Sequence, residues 1–371
     1  MSQFDKDDMD PMGLLKLDVL GVRMQSAMAY AVREISRVSG KEIDLDAVPR
    51  DDAATFRDIR TTNTLGIFQI ESPGQRELTG KHQPTEFNDL TIQISLFRPG
   101  PMKGNMIAPY LDGRHGFAKP DFIHKDLEPI LRETWGVVIF HEHVIRILNQ
   151  MTGCGLARGD ELRRSLEKPR IKPQIETFFR TEAAKRGYSK AVIERVWSVI
   201  EGFSSFGFCK AHGAAFALPT YQSAWLKTHY PTEFIAGLLT HDPGMYPRRL
   251  LLSEARRLGV KVLPVDVNFS TDEYLVEPIT RKTLDTNEPQ IGVRMSIRDV
   301  QSISDAEVAR IIENRPYKDT ADFYLRAKPT RRTLENLALI GALDSLAAAE
   351  VTRGDVLARV RQLNAIKNRK A

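Results

Sequence analysis

Between residues 127 and 258 apolar residues recur at helical spacing, and Gly or Pro interrupts the pattern only at intervals. Residues 137–151 carry the 3.6-residue period, and residues 159–166 start a second helix with Asp160 near its N-terminus. Residues 172–201 read as a helix pair broken at Arg186-Gly187-Tyr188-Ser189. A long stretch rich in small and aromatic residues, 210–230, is halted by Pro231. A helix over 232–239 then ends at His241-Asp242-Pro243-Gly244, and a helix over 250–258 precedes a strand at 260–267. These elements predict a mainly helical α+β chain with no solenoid repeat.

Upstream the pattern is looser. Residues 14–20 form a short β-compatible run interrupted by Lys16 and Asp18, and residues 24–35 predict a helix. Residues 40–62 are polar and acidic and are expected to cross the surface. The pentapeptide Phe97-Arg-Pro-Gly-Pro101 is not helical throughout, because each proline lacks a donor and restricts the residue before it. Composition shifts near residue 268. Residues 268–289 are loop-like with short strands, and 297–315 and 330–346 each resemble two short helices about a tight turn.

At 371 residues the chain has room for two or three folding units. Lys and Arg number 53 against 48 Asp and Glu, and this net charge of +5 is a mild tilt toward a polyanionic partner. Two cysteines, Cys154 and Cys209, exclude a disulfide framework and a Cys-rich zinc site. The polar N-terminus carries no apolar signal-peptide core, and no run of 18 apolar residues occurs, so no membrane partner is expected and a cytoplasmic location is.

Four places gather functional groups. Lys16 and Asp18 share one face of a strand, either as a surface ion pair or as ligands to an anion and a metal. Arg163 and Arg164 lie adjacent on a helix, where two guanidinium forks suit a triphosphate and a solvated basic face is the alternative. Residues 206–216 combine aromatics, Lys210, His212 and a run of small residues. They suit a flat ring and a charged ligand or a tightly packed core helix, and the residues alone do not decide between them. The C-terminal helical hairpins carry Arg294, Arg298, Arg310, Arg315, Arg331 and Arg332, which suit phosphate contacts or a charged surface. His141-Glu142-His143 lacks the second spaced histidine of a H-E-x-x-H zinc motif.

Taken in order, these segments resemble one family. Gly13-Leu-Leu-Lys-Leu-Asp-Val-Leu-Gly21 is similar to the G-L-x-K-x-D-x-L-G signature of bacterial C-family DNA polymerases, the polymerase III alpha subunits. Leu96-Phe-Arg-Pro-Gly-Pro101, Leu162-Arg-Arg164, Gly207-Phe-Cys-Lys-Ala-His212 and Tyr221-Gln-Ser-Ala-Trp-Leu-Lys227 follow at similar spacing. The resemblance runs from about residue 3 to 347. Cys209 and His241-Asp-Pro-Gly-Met-Tyr-Pro247 resemble the error-prone, translesion branch, where the replicative branch usually has asparagine at the position of Cys209.

The resemblance implies a partial palm over 1–62, helical fingers over 63–267 and a linker at 268–288. It further implies a tandem helix-hairpin-helix element over 289–347 and a charged tail over 348–371. Asp18 would be one of three carboxylates for two Mg²⁺ ions, with Lys16 against the incoming triphosphate. Arg163 and Arg164 would hold its β- and γ-phosphates, and His212, with Lys210 nearby, would check the sugar. Arg298, Arg331 and Arg332 would contact primer–template DNA, although Val300-Gln-Ser-Ile-Ser departs from the expected glycines of the first hairpin. A sliding clamp or translesion accessory proteins are expected partners of the full-length polymerase, in the bacterial cytoplasm at the nucleoid. The family's other two aspartates belong to a P-D-x-D segment that this sequence does not contain, so the chain by itself is expected not to polymerise DNA. A non-catalytic DNA-binding remnant is the alternative.

Overall fold

The computed structural model describes residues 4, 8–9, 11–15, 21–97, 106–203, 208–244, 246–279, 290–348 and 350–368, with side chains described as far as residue 363. Lys16 and Asp18, most of the 97–101 pentapeptide and Gly207 lie outside the described residues.

Among the described residues the first five helices are α1 (Arg23–Ser39), α2 (Ala53–Arg60), α3 (Pro73–His82), α4 (Phe87–Leu96) and α5 (Ile107–Arg114). Helix α1 is amphipathic. Met24, Ala27, Met28, Ala31 and Ile35 fall on one stripe and are buried, and the helix stops where Gly40 turns left-handed and returns its N–H to the Ser36 carbonyl. The stripe packs against α11 (Pro231–His241), whose Phe234, Ile235, Leu238 and Leu239 are buried in the same core. Pro231 is the first residue of that helix and not merely the end of the preceding one, since an N1 proline has no donor to lose.

The approach of these two helices depends on Gly237. A Cβ there would lie 2.2 Å from the Ala27 carbonyl oxygen, a rigid backbone atom. Gly237→Ala is therefore expected to destabilise the protein by about 1–3 kcal/mol or more, read as a lowered thermal midpoint. An unchanged midpoint would mean the helices are free to separate.

Residues 40–62 depart from the surface passage read in the sequence. Asp52 caps α2 through the Thr55 N–H at 2.8 Å, and Phe56 and Ile59 are buried beneath Tyr221. The run Asp51-Asp52 looks like a solvated loop but is a helix start.

The central helices are α6 (His141–Thr152), α7 (Leu156–Ser165), α8 (Lys172–Lys185), α9 (Lys190–Phe203) and α10 (Lys210–His229). Leu148, Leu162, Phe179, Trp197 and Ile200 fill the core that joins α6 to α9. Helix α10 crosses α4, and Gly213 permits the contact: a Cβ there would stand 2.7 Å from the Ser95 hydroxyl. The small-residue run of 210–217 thus serves helix packing at this point.

After α12 (Arg248–Arg257) the described residues form three short strands, β1 (Lys261–Leu263), β2 (Leu275–Pro278) and β3 (Ile291–Arg294). Strand β3 is central, parallel to β1 and antiparallel to β2, so part of the segment read as a linker belongs to a sheet. Helices α13 (Asp305–Glu313), α14 (Thr320–Ala327) and α15 (Arg331–Leu339) follow around a separate core. Residues 353–368, read as a charged tail, form α16 (Arg353–Asn368), whose Val356 and Val360 are buried in that core. The mainly helical α+β class expected from the sequence is the class observed.

Candidate functional site

Helices α6 and α7 form a tight antiparallel hairpin. Gly153 ends α6 in the left-handed conformation, and Asn149 accepts the Gly155 N–H through its side chain at 2.8 Å. Gly159 marks the contact between the helices, since a Cβ there would lie 3.0 Å from the Ile145 carbonyl oxygen. One turn onward from Gly159 is Arg163, and one turn back from Ile145 is His141, each step about 6 Å. The hairpin therefore brings Arg163 and Arg164 level with the start of α6.

That end of α6 also meets the start of α10. Phe140 and Phe208 form a parallel bridge, and the His141 N–H donates to the Phe208 carbonyl at 2.8 Å. Glu142 accepts the Lys210 backbone N–H at 3.0 and 3.2 Å and the Cys209 thiol at 3.6 Å. It thereby caps α10, whose own N-cap residue, Cys209, accepts no helix N–H through its side chain. Lys210 and His212 thus lie on the first turn of α10, where it meets the start of α6, and Arg163 and Arg164 lie on α7, which packs against α6.

The cations there are already partnered. Arg163 and Arg164 both pair with Asp160, and Arg163 is 16% exposed where Arg164 is 72% exposed. Lys210 Nζ lies 2.5 Å from Glu133 and 5.5 Å from the Phe140 ring centroid. His212 is exposed, with the Phe208 and Phe216 rings at 5.2 and 4.4 Å, and Phe216 stacks on Phe68. An aromatic strip thus lies beside the cations, with His212 in it.

Glu133 reaches a second group, His143, at 3.4 Å. Burial lowers the His143 pKa, which keeps the imidazole neutral, and the Ile139 N–H donates to Nδ1, leaving Nε2–H to donate to Glu133. The hydrogen bond from His143, and then the Lys210 contacts, hold the Glu133 carboxyl at about 2 against desolvation, below the usual 4.5. A carboxyl lowered by folding stabilises fully above its unfolded pKa and loses that contribution as pH falls through the folded value. Glu133→Gln is expected to flatten the stability curve between about pH 4.5 and 2. Parallel curves for the two proteins in urea titrations across that window would contradict the pairing.

Asp160, Glu133 and Glu142 were not identified as site residues from the sequence. Asp160 carried a signal, being three and four residues before the arginines. Glu142 and Glu133 had none, since their partners lie 68 and 77 residues away.

The C-terminal arginines divide by partner. Arg294 pairs with Glu277, Arg310 donates to the Ala327 carbonyl, and Arg315 donates to the carbonyls of Val267 and Ser270, so these three tie the fold together. Arg298 and Arg331 are 55% and 69% exposed with loose or surface carboxylate partners, and Arg332 is exposed. The two hairpins are joined, with Asn336 donating to the Gln301 carbonyl at 2.7 Å and Thr333 to that of Ser302 at 3.3 Å.

Among the described residues no group of three or more His, Cys, Asp or Glu could hold a metal ion, and Asp18 lies outside them. No helix among them is long and apolar enough to cross a membrane.

Residues 24–187 match the bacterial DNA polymerase III alpha subunit finger domain, and residues 259–353 match a helix-hairpin-helix motif. The chain is 38% identical to an error-prone DNA polymerase of Symbiobacterium thermophilum, over 93% of its own length and 33% of that protein. It is 32% identical to a DNA polymerase III subunit alpha of Campylobacter jejuni, over 93% of its length and 29% of that protein. The chain belongs to the bacterial DNA polymerase III alpha subunit family. It spans about a third of the length of the curated relatives it matches. The finger-domain match includes α6 and α7, so the arginine pair lies within it, while Lys210 and His212 lie beyond its last matched residue.

Proposed function

We propose that this chain supplies the nucleotide grip and a duplex-tracking element of a DNA-directed DNA polymerase of the error-prone, translesion branch. The observation that carries this reading is the Arg163–Arg164 pair on one helix within the residues that match the finger domain, with Lys210 and His212 on the α10 turn that meets the neighbouring α6. The two guanidinium groups bind the β- and γ-phosphates of an incoming deoxynucleoside triphosphate and neutralise charge as pyrophosphate leaves. His212, set between Phe208 and Phe216, faces the sugar and discriminates against a 2′-hydroxyl. Arg298, Arg331 and Arg332 contact the phosphates of primer–template DNA.

Mg²⁺ in such a polymerase polarises the transferring phosphoryl group, and Asp18 is this chain's candidate ligand, with Lys16 two residues earlier in the sequence. The described residues add no metal-binding cluster, so the roles above are those of cations and rings. The higher identity to error-prone polymerases, 35–38% against 32–33% for DNA polymerase III alpha subunits, supports the branch assignment. Sliding-clamp or translesion accessory contacts, and a place at the nucleoid, belong to the full-length polymerase.

The chain by itself is expected not to extend a primed template in the presence of Mg²⁺ and all four deoxynucleotides. Extension by the purified chain that Asp18→Ala abolishes would contradict this.

A further inference from the structure

One carboxylate holds both arginines at the end of α7. Asp160 Oδ1 accepts from Arg163 Nε at 3.0 Å and Oδ2 from Arg164 Nε at 2.9 Å, and the two Nη2 atoms stand in ion-pair contact with the same oxygens at 3.0 and 2.8 Å. Residues three and four positions ahead of an aspartate flank it from the next helical turn, one on either side. Without a shared partner, neighbouring side chains leave a helix about 100° apart, a divergence that aims two forks at different ligands. Asp160 draws both toward the line between them. Each arginine turns its Nε–Nη2 edge to Asp160, and a guanidinium held by that edge has a second, Nη1–Nη2 edge with which it can meet an anion.

We propose that Asp160 is a specificity-determining positioning residue, which converges the two forks so that the grip selects consecutive phosphates over a single phosphate or a phosphodiester. This rests on the reading of Arg163 and Arg164 as triphosphate ligands. Two consequences of the geometry support it. Packing also restrains Arg163, at 16% exposed, so Asp160 acts chiefly on Arg164, at 72% exposed, which would otherwise sample many rotamers. The carboxylate also cancels one of the two positive charges. A lone phosphate is then weakly attracted, whereas linked phosphates engage both open edges together. Lys210 is arranged in the same way, with Glu133 as its resident carboxylate. The grip is charge-compensated before any ligand arrives.

A surface aspartate that only supports its helix through i,i+3 and i,i+4 pairs would change helix stability and leave ligand preference alone. Binding of sodium tripolyphosphate and of inorganic phosphate to the whole chain, by calorimetry at low ionic strength, separates the two roles. In Asp160→Asn, phosphate is expected to bind as well or better, and the preference for tripolyphosphate over phosphate to fall by about tenfold. Asp160→Glu is expected to restore most of the preference. Asp160→Ser serves as the second variant if circular dichroism shows that Asp160→Asn has lost helix. An unchanged preference in the folded variants would overturn the proposal. If Arg163→Ala with Arg164→Ala abolishes binding while that preference stays flat, only the role of Asp160 fails. If the unaltered chain binds no tripolyphosphate, the phosphate grip fails and this inference with it.

Discussion

Replacing Arg163 and Arg164 together with alanine is expected to weaken deoxynucleoside triphosphate binding by about 3–4 kcal/mol, several hundredfold. A hydrogen bond to a charged group is worth about 1.5–3 kcal/mol, and two are removed. The low end applies because each guanidinium already has Asp160 as a partner, so the ligand gains only the open edges. Titration calorimetry of the folded double variant measures the loss. Affinity within twofold of the unaltered chain would refute the assignment of the pair to phosphate.

The second large effect concerns the buried ion pair that ties α3, α4 and α5 together. Asp89 on α4 is buried and accepts the backbone N–H groups of Thr85 at 2.7 Å and Glu86 at 3.2 Å, while Arg114 of α5 reaches it at 2.5 and 2.7 Å. Desolvation opposes its charge, yet the Arg114 and Thr85 bonds outweigh it and the Asp89 pKa is lowered. Asp89→Ala leaves a largely buried guanidinium and two backbone donors without their acceptor. Removing one partner of a buried pair costs about 3–5 kcal/mol. The loss should be concentrated in the amides of α3 to α5, and native-state hydrogen exchange reads it there. The double replacement Asp89→Leu with Arg114→Met should recover part of it, because no buried charge is then stranded. If Asp89→Ala left exchange in α3 to α5 unchanged, the pair would not support that region.

Local pattern carried much of the fold. The apolar period of α6, the break between α8 and α9 at Arg186–Ser189, and α10 ending before Pro231 all followed from nearby residues. What escaped was set by distant partners. Helix α2 hides behind Asp51-Asp52, since an acidic pair reads as solvated until Tyr221 is seen to cover Phe56 and Ile59. The buried Val356 and Val360 of α16 need the C-terminal core to give them a reason to be helical.

The site divides the same way. Arg163 and Arg164 stood out as neighbours, but the carboxylates that hold the local cations are Glu133 and Asp160 and the one that caps α10 is Glu142, and only Asp160 is close in sequence to its partners. Six C-terminal arginines look alike in the sequence. Coordinates separate Arg294, Arg310 and Arg315, which bind protein groups, from the exposed Arg298, Arg331 and Arg332. Lys16 and Asp18 depend on the sequence resemblance alone.

The most direct test of the nucleotide grip is photo-crosslinking of the chain with 8-azido-2′-deoxyadenosine triphosphate, followed by peptide mapping. Saturable labelling that tripolyphosphate competes away, confined to residues near 140–142, 156–165 and 208–216, is the predicted result. Saturable labelling confined to residues 259–353, or no saturable labelling, would contradict the account.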